Sequence, residues 1–190
     1  MAANMTMSNS PLWRRLRWVV WGGVAFLLLL PLLAMQFTAE VQWTPVDFIT
    51  MGAMLGLVGG VYELAVRVAR SNAYVVAAGV AAATAFLMTW INLAVGIIGN
   101  ENNPANQMFF GVLAIGFIAT ALTRLKPLNL ARAMEVTAIA QAVTFTVTLA
   151  IGEGNIFVLT GFFVAMWLIS AQLFRKAARQ EAAGGVSQVA

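Results

Sequence analysis

The chain has 190 residues, of which 61% are hydrophobic and 9% are charged, and its formal net charge is +4. A soluble domain carries about 25% charged residues, so this composition excludes a water-soluble globular protein and predicts an integral membrane protein. The chain contains no Cys and no His. That absence excludes disulfides and nucleophiles activated by His, and it removes the usual ligands of zinc, iron–sulfur and haem sites. We therefore expect neither a cofactor nor a metal.

The basic residues fall in four groups that are separated by long apolar stretches. The groups are Arg14, Arg15 and Arg17; Arg67 and Arg70; Arg124, Lys126 and Arg132; and Arg175, Lys176 and Arg179. Each interval is long enough to cross a bilayer and return, and Lys and Arg in short loops stay in the cytoplasm. This pattern predicts the orientation of the chain and explains its basic charge without a nucleic-acid partner.

Six apolar stretches match a hydrocarbon core of about 30 Å. In chain order the predicted spans are residues 18–36, 46–66, 74–98, 108–123, 131–151 and 156–174. They predict an all-α integral membrane protein, a six-transmembrane-helix bundle of three antiparallel hairpins with both termini cytoplasmic. Residues 1–17 and 175–190 are the predicted cytoplasmic tails. A bundle of four spans is less favoured, because it leaves long apolar segments outside the bilayer.

The second span carries a glycine series and an ionisable pair. Gly52, Gly56 and Gly60 share one helix face, which predicts close packing against another helix. Glu63 and Arg67 are four residues apart and are expected to form an ion pair at the inner end of the span. The alternative role of Glu63 is that of a proton-binding or substrate-binding group.

The predicted outer side carries acids and no base. These acids are Glu40, Asp47, Glu101 and Glu153, and Glu101 lies in the Asn-rich segment 100–107 together with Asn102 and Asn106. One interpretation is a turn followed by a helix cap, since Asn and Pro are common in both. The other is a ligand site in which converging carboxylates and amides bind a cation, a cationic solute or protons.

The fifth span has a polar face. Thr137, Gln141, Thr144 and Thr148 are spaced by 4, 3 and 4 residues, and Asn92 of the third span is a candidate partner. Such side chains turn away from lipid and form hydrogen bonds between helices. The alternative is a polar path from the outer loop to the bundle centre. Near the inner end of the same span, Glu135 is expected to be neutralised by Arg132.

Three segments carry a resemblance to a known family. They read WTPxDF from Trp43, YEL from Tyr62 and WxNLAVGIIGxExxPAN from Trp90. In these segments the chain resembles an uncharacterised family of small bacterial inner-membrane proteins that has no known activity. The resemblance implies a bacterial integral inner-membrane protein, and it implies no catalytic or binding residues.

Three functions remain open from the sequence. The favoured one is a non-enzymatic accessory or structural component of the membrane, with the lipid bilayer and either another membrane protein or a second copy as partners. The alternative is a small transporter or channel for protons, cations or a small polar solute. A membrane enzyme acting on lipid is a second alternative, and carboxylates are the acid–base groups it has available.

Overall fold

The structure is a computed structural model that describes residues 11–152 and 156–186. In these ranges the chain forms helices and connecting turns, without strands. The helices are α1 (Pro11–Phe37), α2 (Pro45–Val68), α3 (Asn72–Ala94), α4 (Gln107–Ala121), α5 (Pro127–Ala150) and α6 (Phe157–Val186). All six are long and apolar enough to cross a membrane, which confirms the prediction of an all-α multi-pass membrane protein.

The helix boundaries follow local signals in the sequence. Thr44 and Asp47 form a capping box at the start of α2, in which each side chain bonds the backbone N–H of the other residue. Pro127 occupies the first turn of α5, where its missing N–H costs nothing. The predicted third span, 74–98, is wrong at its end. The helix stops at Ala94 because Gly96 has a φ of +73°, which an α-helix does not accommodate. Helix α6 continues beyond the predicted end at 174.

The first compact unit, Met1–Ala69, contains α1 and α2. The indole of Trp21 on α1 lies against Gly59 of α2, where an added Cβ would be 3.1 Å from the ring. The hydroxyl of Tyr62 donates a hydrogen bond of 3.1 Å to the carbonyl of Trp13. The start of α1 therefore lies beside the end of α2, and the missing side chain at Gly59 provides space for a large aromatic ring.

The second compact unit, Arg70–Ala190, contains α3 to α6. Helix α6 packs against α3 and α5, α5 also packs against α4, and α3 and α4 touch less extensively. The Ser170 hydroxyl on α6 donates 2.9 Å to the Ala77 carbonyl on α3. Nearby, the rings of Tyr74 and Phe174 meet edge to face at 5.2 Å. The core of this unit thus combines large apolar side chains with buried polar ones.

Close packing of α4 against α5 depends on Gly116. A Cβ at this position would lie 2.9 Å from Oγ1 of the buried Thr137, whereas a Cβ at Gly111 of the same helix would meet nothing within 4 Å. We expect Gly116→Ala to lower the free energy of unfolding by about 1–3 kcal/mol, as overpacking of a core does.

The matched control is Gly111→Ala, which should change that free energy by less than about 1 kcal/mol. Chemical unfolding in detergent micelles, followed by far-UV circular dichroism, measures both variants. Equal stabilities for the two variants would show that α4 does not pack on Thr137 in this way.

Candidate functional site

The Asn-rich segment after α3 forms a tightly folded loop. Gly96 and Gly99 adopt left-handed conformations with φ of +73° and +67°, which allow the chain to turn sharply at both positions. The side chain of Asn103 accepts a 2.9 Å bond from the N–H of Ala105, which starts the 3₁₀ helix Pro104–Asn106 immediately before α4. The interpretation as a turn and a helix cap therefore describes much of this segment.

Asn106 organises the loop through its side chain, which is 4% exposed. Its Oδ1 accepts hydrogen bonds from the N–H groups of Ile97 and Ile98, at 3.0 and 2.8 Å. Its Nδ2 donates to the carbonyls of Ile98 and Asn100, at 3.2 and 2.7 Å. Four backbone groups thus depend on one amide. The two N–H groups need an acceptor and the two carbonyls need a donor, so the network determines how the amide is oriented.

Asn92 joins this cluster from the last turn of α3. Its Nδ2 donates a 3.1 Å bond to the backbone carbonyl of Asn106, and its side chain is buried. The structure therefore brings Asn92 and Asn106 together, as parts of the link between α3, the loop and α4. The sequence predicted Asn92 as a partner of the polar face of α5, and its amide instead bonds to the loop.

Glu101 and Asn102 lie at the exposed part of the loop. The Nδ2 of Asn102 donates to Oε1 of Glu101 at 3.3 Å, and the N–H of Asn102 bonds the side chain of Asn100 at 2.9 Å. Both residues are exposed, in contrast to the buried Asn92 and Asn106. The carboxylate predicted to be the centre of a ligand site is thus on the outside of the loop rather than in the buried cluster.

Two of the other predicted outer acids, Asp47 and Glu40, are exposed. Asp47 is exposed and accepts bonds from the backbone N–H and the hydroxyl of Thr44, at 2.7 and 2.8 Å, so its carboxylate caps α2. Glu40 is exposed, and its N–H bonds the Thr38 hydroxyl at 3.1 Å. Glu153 lies outside the described residues. Across residues 11–152 and 156–186, no three acidic side chains are grouped in a way that could hold a metal ion.

All four residues of the polar face of α5 are buried. The Thr137, Thr144 and Thr148 hydroxyls donate to carbonyls of their own helix at 2.8 to 3.0 Å, the last with two acceptors. Gln141 differs, because neither its Oε1 nor its Nε2 has a hydrogen-bond partner among the described residues. The threonine hydroxyls thus find their hydrogen-bond acceptors within α5, and the amide of Gln141 is left available to bond a further polar group.

Two half-buried carboxylates have partners that the sequence did not predict. Glu63 pairs with Arg67 at 3.8 Å, as predicted, but its close partner is Arg17 of α1, with two N–O contacts of 2.6 Å. Glu135 pairs with Arg175 of α6 at 2.6 Å rather than with the predicted Arg132. Both close pairs join two helices. Sequence spacing within one helix therefore found the weaker partner in one case and the wrong one in the other.

The bidentate pair of Arg17 and Glu63 gives a prediction. A double-mutant cycle with Arg17→Gln and Glu63→Gln should yield a coupling free energy of about 1 kcal/mol. A bidentate ion pair that is partly shielded from solvent stabilises the fold more than most exposed ion pairs do. The corresponding cycle of Glu63 with Arg67, whose side chain is 69% exposed, should yield about 0.3 kcal/mol or less. Unfolding titrations in micelles measure both cycles, and the reverse order of couplings would refute the assignment.

The glycine series of α2 lies beside its contact with α1. A Cβ at Gly52 would just touch Leu28 at 4.0 Å, whereas Gly56 and Gly60 would meet no atom of the described chain within that distance. The glycine that packs closely in this unit is Gly59, against Trp21. The predicted packing face is therefore left largely open by α1, and a neighbouring glycine that the spacing of four residues did not include makes the contact.

A shallow groove of about 430 Å³ lies on the exposed face of α6. Its lining is apolar towards the middle of the helix and basic towards the C-terminal end, and it consists of Leu168, Ile169, Gln172, Leu173, Lys176 and Arg179. None of the predicted site residues lines this groove. It is open to the surroundings, so it does not provide an enclosed chamber for a substrate.

Comparison with known proteins gives no relative for this arrangement. No protein-family model, curated protein or solved structure matches the chain.

Proposed function

We propose that this chain is a non-enzymatic, multi-pass membrane protein that serves as an accessory or structural component of the membrane. The observation that carries the proposal is the use of its polar groups. The Asn106 amide bonds to the loop backbone, Asn92 donates to the backbone carbonyl of Asn106, the α5 threonines bond to their own helix, and Glu101 is exposed. Polar residues that hold helix ends and loops in place serve the fold rather than a substrate.

The composition supports the non-enzymatic part of this proposal. The chain has neither His nor Cys, so acid–base catalysis would rest largely on carboxylates. The half-buried carboxylates Glu63 and Glu135 pair with Arg17 and Arg175 at 2.6 Å. A carboxylate whose oxygens are bound by a guanidinium is less available to contact a substrate. An enzyme acting on lipid is therefore the least favoured function.

An accessory protein needs a face for its partner, and α2 supplies the best candidate in the first unit. Helix α1 leaves Gly56 and Gly60 open, and glycine allows the backbone of another membrane helix to approach closely. We propose that another membrane protein or a second copy of the chain packs there.

Extraction of the tagged chain from its native membranes into lipid nanodiscs, followed by mass spectrometry, tests this proposal. We expect a stoichiometric second polypeptide with the wild type and with Gly111→Leu, which changes an open glycine on α4. Gly56→Leu should lose it, because a leucine side chain would hold the partner helix away. A chain that travels alone and as a monomer in all three preparations would refute the accessory function.

The second candidate is a transporter or channel for protons, cations or a small polar solute. One observation favours it, namely the unpaired amide of Gln141 on the buried polar face of α5. Buried polar residues in membrane helices often mark a pathway. Against it stand the exposed position of Glu101 and the absence of charged side chains among the buried residues of the described chain.

We further propose that both termini lie in the cytoplasm, on the basis of the one-sided Lys and Arg residues, and that the membrane is the bacterial inner membrane, as the family resemblance implies. The lack of native Cys makes single-cysteine labelling straightforward. Asn102→Cys, in the exposed loop after α3, should react with a membrane-impermeant maleimide added outside spheroplasts. Leu128→Cys, which follows Lys126, should react only after lysis. Labelling of Leu128→Cys in intact spheroplasts would contradict this topology.

A further inference from the structure

The side chain of Gln141 is fully buried in the middle of α5, and neither end of its amide has a hydrogen-bond partner among the described residues. The indole N–H of Trp167 on the adjacent helix α6 is likewise buried and unpaired. A glutamine amide can donate two hydrogen bonds and accept two. Lipid tails provide no partner, so the unpaired amide is costly and its site should contain a polar occupant.

The neighbours of Gln141 indicate what this occupant must offer. Thr137 lies four residues before it and Thr144 three residues after it, so the three side chains adjoin on one face of the helix. Each hydroxyl already donates its proton, to Ala133 at 2.8 Å and to Ala140 at 3.0 Å. Each hydroxyl oxygen therefore has lone pairs left to accept a bond. The site combines acceptors from both threonines with a donor and an acceptor from Gln141.

The occupant must therefore both donate and accept hydrogen bonds, and it must be small. Helix α4 closes the site beside Thr137, since even a methyl group at Gly116 would come within 2.9 Å of the threonine hydroxyl. A cation would find no acid among the buried residues to balance its charge. Water meets all these conditions, and buried waters in proteins make about three hydrogen bonds each.

We propose that an internal water molecule is a permanent part of the second unit, bound by the amide of Gln141 and by the hydroxyls of Thr137 and Thr144. The water accepts a bond from Nε2 of Gln141, and it donates to Oε1 or to a threonine oxygen. It gives the buried amide of Gln141 a hydrogen-bond partner in the interior of the second unit. This inference does not depend on the accessory function, because a structural protein and a transporter can both contain such a water.

Water-selective nuclear Overhauser spectroscopy on the full chain, labelled with nitrogen-15 glutamine in detergent micelles, tests the proposal. The expected result is a dipolar cross-peak between a long-lived water and the side-chain amide protons of Gln141. Loss of the amide signal in Gln141→Met assigns it. The exposed Gln172 serves as the comparison and should show only exchange with bulk water.

Two isosteric variants of α5 complete the test. Thr144→Val removes one acceptor of the water and should abolish or strongly weaken the Gln141 cross-peak. Thr146→Val removes an exposed hydroxyl that bonds its own helix in the same way, at 3.2 Å to Ala142, and should leave the cross-peak unchanged. A resolved Gln141 amide without a water cross-peak would overturn the proposal. A cross-peak that is equally strong in Thr144→Val would overturn the assigned geometry.

Discussion

Asn106→Ala is expected to lower the free energy of unfolding by at least about 3 kcal/mol, because it leaves several buried groups unpaired at about 1–3 kcal/mol each. The variant loses both bonds to the N–H groups of Ile97 and Ile98 and both bonds to the carbonyls of Ile98 and Asn100. Asn106→Asp should also be destabilising, since a carboxylate oxygen would face the two carbonyls in place of a donor. Chemical unfolding in micelles measures the effect.

Asn102→Ala is the matched control for this substitution. The same residue type is removed from the same loop, but the side chain of Asn102 is exposed and donates to Glu101. Its stability should change by no more than about 0.5 kcal/mol, as is usual at exposed sites. If Asn106→Ala were no less stable than Asn102→Ala, the buried amide would not organise the loop.

Gly96→Ala is expected to prevent the loop from closing and to leave little folded protein. The left-handed φ of +73° is itself unfavourable for alanine, at about 1–2 kcal/mol. More importantly, the added methyl group would overlap the carbonyl carbon and oxygen of Asn100. Because these are backbone atoms, the clash can be relieved only by moving the chain that surrounds Asn106.

Gly152→Ala separates the two causes. Gly152 has a similar φ of +76°, but a Cβ there would meet nothing within 4 Å of the described chain. In this variant the free energy of unfolding should fall by only about 1–2 kcal/mol, because alanine disfavours the left-handed φ. The fraction of each variant that elutes as a single species on size exclusion, followed by unfolding titrations, compares them. Equal losses at both positions would show that the contact with Asn100 has no role.

The helices could be predicted from the sequence, and the end of α3 could not. The apolar stretches and the Pro residues locate all six helices, because length and hydropathy act locally along the chain. The stop at Ala94 depends on the left-handed Gly96, which lies inside an uninterrupted apolar stretch from Leu93 to Gly99. Glycine in such a stretch is compatible with a membrane helix, so hydropathy alone extends the span to Ile98.

The sequence predicted which polar residues belong to the candidate site, but it did not predict which groups they contact. The Asn-rich segment and the polar face of α5 are visible as residue types at given spacings. Which Asn is buried depends on the path of the loop, which returns Asn106 to Ile97 and Ile98 across residues 99–105. Likewise, the close partner of Glu63 is Arg17 on another helix. Spacing within a helix reports neighbours on that helix and gives no register between helices.

The decisive measurement for the accessory function is ion flux in proteoliposomes that contain the purified chain. We expect proton and potassium fluxes equal to those of empty liposomes, with the wild type and with Gln141→Leu alike, since the buried polar groups serve the fold. A flux in the wild type above that of empty liposomes, lost in Gln141→Leu but retained in Thr146→Val, would contradict this expectation. It would establish the polar face of α5 as a conducting path.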